Sequence, residues 1–231
     1  MIEGLVFDKD GTLFDFRRSW GNWVIRLLEG IADGPEHRNQ LARSIGFDID
    51  RIDFAPDSPV IAATAPEIAA RMNGHLPRMS HEELTDRMNR LAGQADMAEA
   101  VPLRPLFQAL RDRGLKIGLA TNDTEAPART HLTNHGVIDL FDFVAGYDSG
   151  HGGKPAPGQL LAFARQVGLP PARIAMVGDS RHDMEAGRAA GMVCVAVLTG
   201  IADHAELAPH ADVVLPDIGH LPAWLAESVP A

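Results

Sequence analysis

Hydrophobic residues follow two different spacings along the chain, and the change between them divides it into segments. Leu5 to Phe7 form a short apolar run that ends in polar residues, which is typical of a buried strand. Over residues 20–31 the apolar positions recur at intervals of three and four, which predicts an amphipathic helix. Helical spacing returns at residues 35–46, 60–72 and 81–97, and residues 47–59 between them are irregular.

The second half of the chain alternates between helical and strand patterns. Helices are predicted over 104–113, 125–135, 157–168 and 182–190, and strands over 115–120, 143–145, 174–177 and 193–198, with an edge strand at 213–215. Such alternation predicts a parallel sheet with helices on both faces. The sequence therefore predicts an α/β protein with a Rossmann-like core, built from residues 1–16 and 102–231, and an inserted all-helical segment over 17–101.

Polar residues follow the predicted strands at the points where they end. Asp8 and Asp10 follow the first strand, Thr121 and Asp179 follow two others, and Lys154 lies in a glycine-rich turn after a third. Alone, each could be a helix cap, a turn residue or a solvated loop lysine. The carboxyl ends of parallel strands meet at one edge of a sheet, where ligands bind. The set therefore indicates a site with a nucleophile, an acid–base group, a hydroxyl, a cation and metal ligands.

The same residues carry a family resemblance that covers nearly the whole chain. The order and spacing of the motifs resemble those of the haloacid dehalogenase-like hydrolases, with a phosphoglycolate phosphatase-like group closest in general appearance. The helical insertion after the first motif resembles that family's helical cap. The matching residues are Asp8-Lys9-Asp10-Gly11-Thr12-Leu13, Thr121, Lys154-Pro155 and Gly178-Asp179-Ser180-Arg181-His182-Asp183 with Ala186-Gly187.

The resemblance implies phosphoryl transfer by two carboxyl groups. Asp8 would attack phosphorus and form an aspartyl-phosphate, and Asp10 would protonate the leaving alkoxide and later activate water. Mg²⁺ would be held by Asp8, Asp179 and the main-chain carbonyl of Asp10, and Asp183 would orient a metal-bound water.

Phosphate-binding groups are also implied. Thr121 would donate its hydroxyl and Lys154 its charge to the phosphoryl oxygens, with backbone amides near Gly11 and Asn122 adding a small anion nest. Asp10 disfavours a dehalogenase, which needs no acid at that position. The expected reaction is hydrolysis of a small phosphomonoester, with 2-phosphoglycolate as the first candidate. A phosphomutase and a non-catalytic metal- or phosphate-binding regulatory protein remain as alternatives.

Charge and composition narrow the possible partners. Asp and Glu outnumber Lys and Arg by 31 to 21, and the net charge of −10 offers no broad basic surface for nucleic acid or a membrane. No secretory signal or membrane span is visible, which favours a cytoplasmic location. The expected partner is a small phosphorylated metabolite, and the protein is expected to be a monomer or a homodimer. The single Cys194 lies in an apolar run and is predicted to be a buried hydrophobe.

Substrate contacts in the helical segment are weakly indicated. Arg17, Arg18 and the 58–64 loop are candidates, and His182 is predicted to be a helix-surface residue rather than a residue at the site entrance. His131 and His135 are four positions apart on a helix without a nearby carboxylate pattern, which favours surface positions over a zinc site. Trp20 and Trp23 are predicted to pack in the core of the segment.

Overall fold

The computed structural model describes residues 1–227 and contains eight strands and ten α-helices in that range. The strands are β1 (Gly4–Phe7), β2 (Phe47–Asp48), β3 (Asp53–Phe54), β4 (Lys116–Ala120), β5 (Phe143–Ala145), β6 (Ile174–Gly178), β7 (Val193–Val197) and β8 (Val213–Leu215). The helices are α1 (Phe16–Ile31), α2 (Pro35–Ser44), α3 (Ala65–Met72), α4 (His81–Ala92), α5 (Leu103–Asp112), α6 (Glu125–Asn134), α7 (Gly158–Val167), α8 (Arg181–Ala190), α9 (His204–Leu207) and α10 (Leu221–Glu227).

Six strands form one parallel sheet in the order β5-β4-β1-β6-β7-β8. The first strand lies inside the sheet, since Leu5 aligns with Ile117 of β4 on one side and Ala175 of β6 on the other. All four residues of β1 are buried, as expected for a parallel strand covered on both faces. The predicted α/β fold is confirmed, and the carboxyl ends of all six strands lie at the same edge.

The helical segment departs from the sequence prediction in three places. Residues 47–59 contain a small hairpin in which β2 pairs antiparallel with β3, because the Asp48 carboxylate accepts the backbone N–H of Asp50 and Arg51 and shapes the turn. The predicted 60–72 helix is divided into a 3₁₀ turn at Pro59–Ile61 and α3, which starts anew at a capping box of Thr64 and Glu67. Helix α4 ends at Ala92 rather than residue 97.

The N-terminus of α4 agrees with its sequence signature. The Ser80 hydroxyl accepts the backbone N–H of Glu83 at 3.1 Å, and the Glu83 carboxylate accepts the backbone N–H of Ser80 at 2.8 Å. This reciprocal pair satisfies two of the free donors at the helix start and fixes where α4 begins.

The chain leaves and re-enters the sheet region through two adjacent backbone segments. The Asp15 N–H donates to the Ala98 carbonyl at 2.8 Å, and the Ala100 N–H donates to the Leu13 carbonyl at 2.9 Å. The Ser19 hydroxyl donates to the Asp15 carbonyl and accepts from the Ala98 N–H, so it joins the same two segments. The four helices α1 to α4 are thereby held beside the carboxyl ends of the strands.

Apolar packing fixes the sheet against its helices. The rings of Phe7 and Phe107 meet edge to face with centroids 5.2 Å apart, and both side chains are fully buried. Each such side chain contributes roughly 1.5–3 kcal/mol through burial. Cys194 is buried in β7, as predicted, and burial raises the pKa of its thiol to about 11, which keeps it protonated.

Candidate active site

The polar residues expected at the strand ends converge at this edge of the sheet. Asp8 follows β1, Thr121 follows β4 and Asp179 follows β6. Lys154 comes from the loop between β5 and α7 and reaches into the same group. All four side chains are buried, which indicates a preorganised site rather than a set of solvated loop residues.

Lys154 is the cation at the centre of the first charge cluster. Its Nζ lies 2.6 Å from Asp8 Oδ1 and 2.6 Å from Asp183 Oδ1. Burial alone would lower the pKa of Lys154, but the two carboxylates outweigh it and raise this pKa above its ordinary value. The ammonium group therefore stays charged and offsets part of the repulsion between the acids around it.

Three carboxylates lie close enough to share a cation. One oxygen each from Asp8, Asp179 and Asp183 lies within 4.8 Å of the others. Burial raises the pKa of Asp8 to about 7 against the opposing effect of Lys154. Burial, with Asp8 and Asp183 nearby, also raises the pKa of Asp179 well above its ordinary value. A buried acid cluster of this kind is costly without a further positive charge.

The surroundings of Asp179 fit a small divalent ion. Its Oδ2 is buried and has no hydrogen-bond partner among the described residues. A Cβ at Gly11 would lie 2.2 Å from this oxygen and one at Gly200 would lie 1.7 Å from it, so glycine at both positions keeps the space around it open. Oxygen ligands, negative charge and an unpartnered carboxylate oxygen suit Mg²⁺.

Asp183 has a structural role in addition to its place in the cluster. Its Oδ2 accepts the backbone N–H of Ser180 at 3.0 Å and the Ser180 hydroxyl at 2.7 Å, which forms a capping box at the start of α8. Its other oxygen faces Lys154. The helix terminus thus fixes one acid of the cluster.

Two of the predicted phosphate-binding groups differ in whether their donor hydrogen is already used in a hydrogen bond. The Thr121 hydroxyl accepts the Asp123 N–H at 3.1 Å, and its own hydrogen is not used by that bond. The Gly11 N–H donates to the Phe14 carbonyl at 2.7 Å, so this amide is already engaged.

The Asn122 side chain acts as a bridge, which the sequence did not indicate. Its Nδ2 donates to the carbonyls of Ala62 and Lys154, both at 2.8 Å, and its Oδ1 accepts the Lys154 N–H at 2.8 Å. Asn122 therefore ties the loop that carries Lys154 to the 58–64 loop of the helical segment.

A second charge cluster surrounds Lys9, which sequence reasoning missed. Lys9 is fully buried, and its Nζ lies 2.8 Å from Asp10 Oδ1 and 3.3 Å from Asp123 Oδ2. Burial would lower the pKa of Lys9, but Asp10 and Asp123 raise it above its ordinary value. Strict strand alternation places Lys9 on the face opposite Asp8, and this much is readable in the sequence. Of the two acids that receive it, Asp10 is its neighbour in the chain, whereas Asp123 comes from a separate segment.

His131 completes the Lys9 cluster and corrects the prediction of a surface histidine. It is buried, with Nδ1 3.3 Å from Lys9 Nζ and Nε2 2.8 Å from the Ala92 carbonyl. Burial and the Lys9 charge lower the pKa of His131 to about 4. His135 is partly buried, and its Nδ1 lies 2.9 Å from Glu99 Oε1. The buried face of α6 packs against the C-terminal end of α4, and His131 is buried at this contact.

A cavity of about 70 Å³ opens above the Asp8–Asp10 loop, between the sheet and the helical segment. The volume is several times the ~15 Å³ that one buried water needs. Its floor is polar and comes from the strand ends, whereas its roof is mainly apolar. The floor includes Asp8, Asp10, Thr121, Asn122, Asp123, Lys154, Ser180 and His182, and the roof Trp20, Trp23, Val60, Ile61, Ala62, Ala63, Ala65, Ile68, Met88, Asn89 and Ala92.

Some of the candidate substrate contacts line this cavity and others lie outside it. The 58–64 loop supplies part of the roof, and His182 lies in the lining with its Nδ1 3.4 Å from the Ala62 carbonyl, so its prediction as a surface residue is wrong. Arg17 instead pairs with Asp53 at 2.8 Å on the exposed surface, and Arg18 borders a separate hollow. Trp20 and Trp23 pack edge to face at 5.1 Å, as predicted for core residues, and also face the cavity.

Comparison with known proteins gives the family of this chain. A family model described as haloacid dehalogenase-like hydrolase matches residues 2–191. The chain belongs to the haloacid dehalogenase-like hydrolases. The family and the hydrolase class predicted from the motifs are thereby confirmed.

Proteins that are similar to this chain carry phosphatase and mutase names. The phosphoglycolate phosphatase of Rhodospirillum rubrum is 34% identical over 238 residues, covering 97% of this chain and 91% of that protein. A crystal structure described as a predicted phosphoglycolate phosphatase from Haemophilus somnus 129pt has a TM-score of 0.72 at 19% identity, covering 97% of this chain and 98% of that one. The crystal structure of β-phosphoglucomutase from Clostridium difficile has a TM-score of 0.70 at 21% identity, covering 98% of this chain and 96% of that one. The two structures share the fold of this hydrolase.

No helix within residues 1–227 of this hydrolase combines the length and the apolar character that crossing a membrane requires.

Proposed function

We propose that this hydrolase is a Mg²⁺-dependent phosphatase that cleaves a small phosphomonoester through an aspartyl-phosphate on Asp8. The carrying observation is the position of Asp8 in the cavity floor, where Lys154 contacts one of its oxygens at 2.6 Å and Asp10 lies two residues away. Carboxylate, cation and second acid are the groups that in-line phosphoryl transfer and its proton transfers need.

The residues divide the reaction into two steps. In the first, an Asp8 oxygen bonds to phosphorus, the ester P–O bond breaks, and Asp10 gives a proton to the departing alkoxide. In the second, water bonds to the same phosphorus, Asp10 takes its proton, the Asp8–phosphorus bond breaks and phosphate leaves. Lys154 and the Thr121 hydroxyl would stabilise charge on the phosphoryl oxygens throughout.

Mg²⁺ would be held by Asp8, Asp179, the Asp10 carbonyl and, through water, Asp183. When bound, it supplies positive charge that polarises the phosphoryl group. The fit rests on the three clustered carboxylates and on the unpartnered Oδ2 of Asp179.

The helical segment, residues 17–101, is proposed to act as a cap that excludes bulk water and contacts the leaving group. Its apolar roof over a charged floor supports this division. The names of the relatives support 2-phosphoglycolate as the first substrate to test.

The test is phosphate release from 2-phosphoglycolate, ethyl phosphate and hexose phosphates, with Mg²⁺ and with chelator. We expect activity only with Mg²⁺, and a loss of at least about 10³-fold in kcat for Asp8→Asn. The control Asp57→Asn removes an exposed carboxylate outside the cavity lining and should behave as wild type.

Two results would contradict the proposal. Transfer of phosphate to a second sugar hydroxyl without release, seen by phosphorus NMR, would favour the phosphomutase. Binding of Mg²⁺ without turnover of any compound would favour the non-catalytic protein.

A further inference from the structure

Lys9 is a fully buried cation between two residues of the proposed catalytic loop. Its Nζ is 2.8 Å from Asp10 Oδ1, and the second carboxylate, Asp123 Oδ2, is 3.3 Å away. Removing an ammonium group from water is costly, and these two acids offset that cost. Lys9 and Asp10 thus form a direct ion pair in which the position of one fixes the position of the other.

The second set of Lys9 contacts comes from the helical segment. The Nζ lies 5.0 Å from the ring centre of Trp20, which belongs to α1 and lines the cavity. A cation over an indole face is a favourable contact, worth more when water is excluded. Lys9 therefore contacts Asp10 on one side and the proposed cap on the other.

His131 adds a second connection between Lys9 and the helical segment. Lysine has only donors, so His131 Nδ1 accepts from Lys9 at 3.3 Å. The hydrogen of the neutral ring then lies on Nε2, which donates to the Ala92 carbonyl at 2.8 Å, at the end of α4. Asp10, Lys9, His131 and Ala92 form one continuous chain of hydrogen bonds.

We propose that Lys9 is a positioning residue that holds the Asp10 carboxyl in place for proton transfer to the leaving group and joins it to the helical segment through Trp20 and His131. This inference rests on the proposed function. Lys9 does not line the cavity, so it acts through Asp10 rather than on the substrate.

The dependence on the leaving group separates this role from a structural one. An alkoxide leaves only with a proton, whereas p-nitrophenolate is stable enough to leave without one. The value of kcat/KM covers the steps through release of this first product and excludes hydrolysis of the aspartyl-phosphate. We expect Lys9→Met to lower kcat/KM by about 30- to 100-fold for ethyl phosphate and by less than about 3-fold for p-nitrophenyl phosphate.

Asp10→Asn provides the reference for this selectivity, and Lys116→Met, at an exposed lysine that starts β4, provides the matched control. If Asp10→Asn shows no dependence on the leaving group, Asp10 is not the acid, and the proton-transfer part of the proposed function fails with this inference. If the effect of Asp10→Asn depends on the leaving group but Lys9→Met lowers kcat/KM equally for both substrates, only the positioning role fails.

A second variant keeps the inference testable if Lys9→Met does not fold. His131→Gln retains the Lys9 charge and alters only its connection to α4. We expect kcat/KM to fall by about 3- to 10-fold for ethyl phosphate and to change little for p-nitrophenyl phosphate. Equal losses for both substrates would overturn the link to the helical segment.

Discussion

The protein contains two buried lysines that are alike in burial but different in surroundings. Lys154 contacts Asp8 and Asp183, within the group proposed to bind phosphate and Mg²⁺. Lys9 contacts Asp10 and Asp123, together with Trp20 from the helical segment. Each ammonium group is balanced by two carboxylates, so charge pairing alone does not distinguish them.

In the proposed mechanism, the two lysines differ in the part of the substrate that they serve. The groups around Lys154 would face the phosphoryl end, which every substrate shares. The groups around Lys9 would support the acid that meets the leaving group, which differs between substrates. Changes at Lys154 should therefore affect all substrates alike, whereas changes at Lys9 should depend on the alcohol that leaves.

The largest expected effect in this comparison comes from Lys154→Met. It removes the charge that is proposed to face the phosphoryl group. It also leaves buried carboxylates without their cation, which costs about 3–5 kcal/mol of folding stability. We expect kcat/KM to fall by at least about 10³-fold for ethyl phosphate and p-nitrophenyl phosphate alike. Steady-state kinetics on both substrates checks this, with urea unfolding as the measure of stability. A loss confined to ethyl phosphate would erase the distinction between the two lysines.

The two clusters also differ in how far the sequence could predict them. Asp8, Thr121, Lys154 and Asp179 follow strand ends, and parallel pairing alone brings strand ends together. Lys9 was visible only as the residue between two acids. Its partners Asp123 and His131 come from the β4–α6 loop and α6, so their meeting depends on how α6 packs against α4. Spacing in the sequence carries no signal for such packing.

The helical segment shows the same limit. Its helical pattern and the Ser80 capping box were readable because they are local. The residues that line the cavity could not be read from the sequence. Arg17, for example, forms an ion pair with Asp53 of the β2–β3 hairpin and lies away from the site. That hairpin is two residues long on each strand and has no periodicity that a sequence could display.

A smaller effect concerns the folding stability at low pH, on which the Lys9 cluster and the Lys154 cluster act in opposite directions. The pKa of His131 is lowered to about 4, mainly by burial, so between its ordinary value of 6.5 and about 4 the unfolded chain binds the proton and the folded chain does not. Acidification through this range therefore destabilises the fold by about 3 kcal/mol through this group. The Asp8 pKa of about 7 acts in the other direction, since the folded state binds that proton first.

The His131→Gln variant isolates the histidine contribution. Its free energy of unfolding in urea, compared at pH 7 and pH 4, should fall less on acidification than that of the wild type, by about 3 kcal/mol. His75→Gln, at an exposed position, should retain the wild-type pH dependence. Equal pH dependence in His131→Gln and wild type would mean that His131 titrates as a solvated histidine.

The smallest expected effect tests the roof of the cavity rather than its floor. Among the described lining residues, the only basic groups are Lys154 and His182, and the roof carries no charge. Ala65→Lys would add a cation there, and we expect it to raise the ratio of kcat/KM for 2-phosphoglycolate over ethyl phosphate by about 3- to 5-fold, less at high salt. Ala70→Lys adds the same charge to an exposed position of α3 outside the lining and should leave the ratio unchanged. An unchanged ratio in Ala65→Lys would place the leaving group away from α3, because a carboxylate within reach of that ammonium group must gain from it.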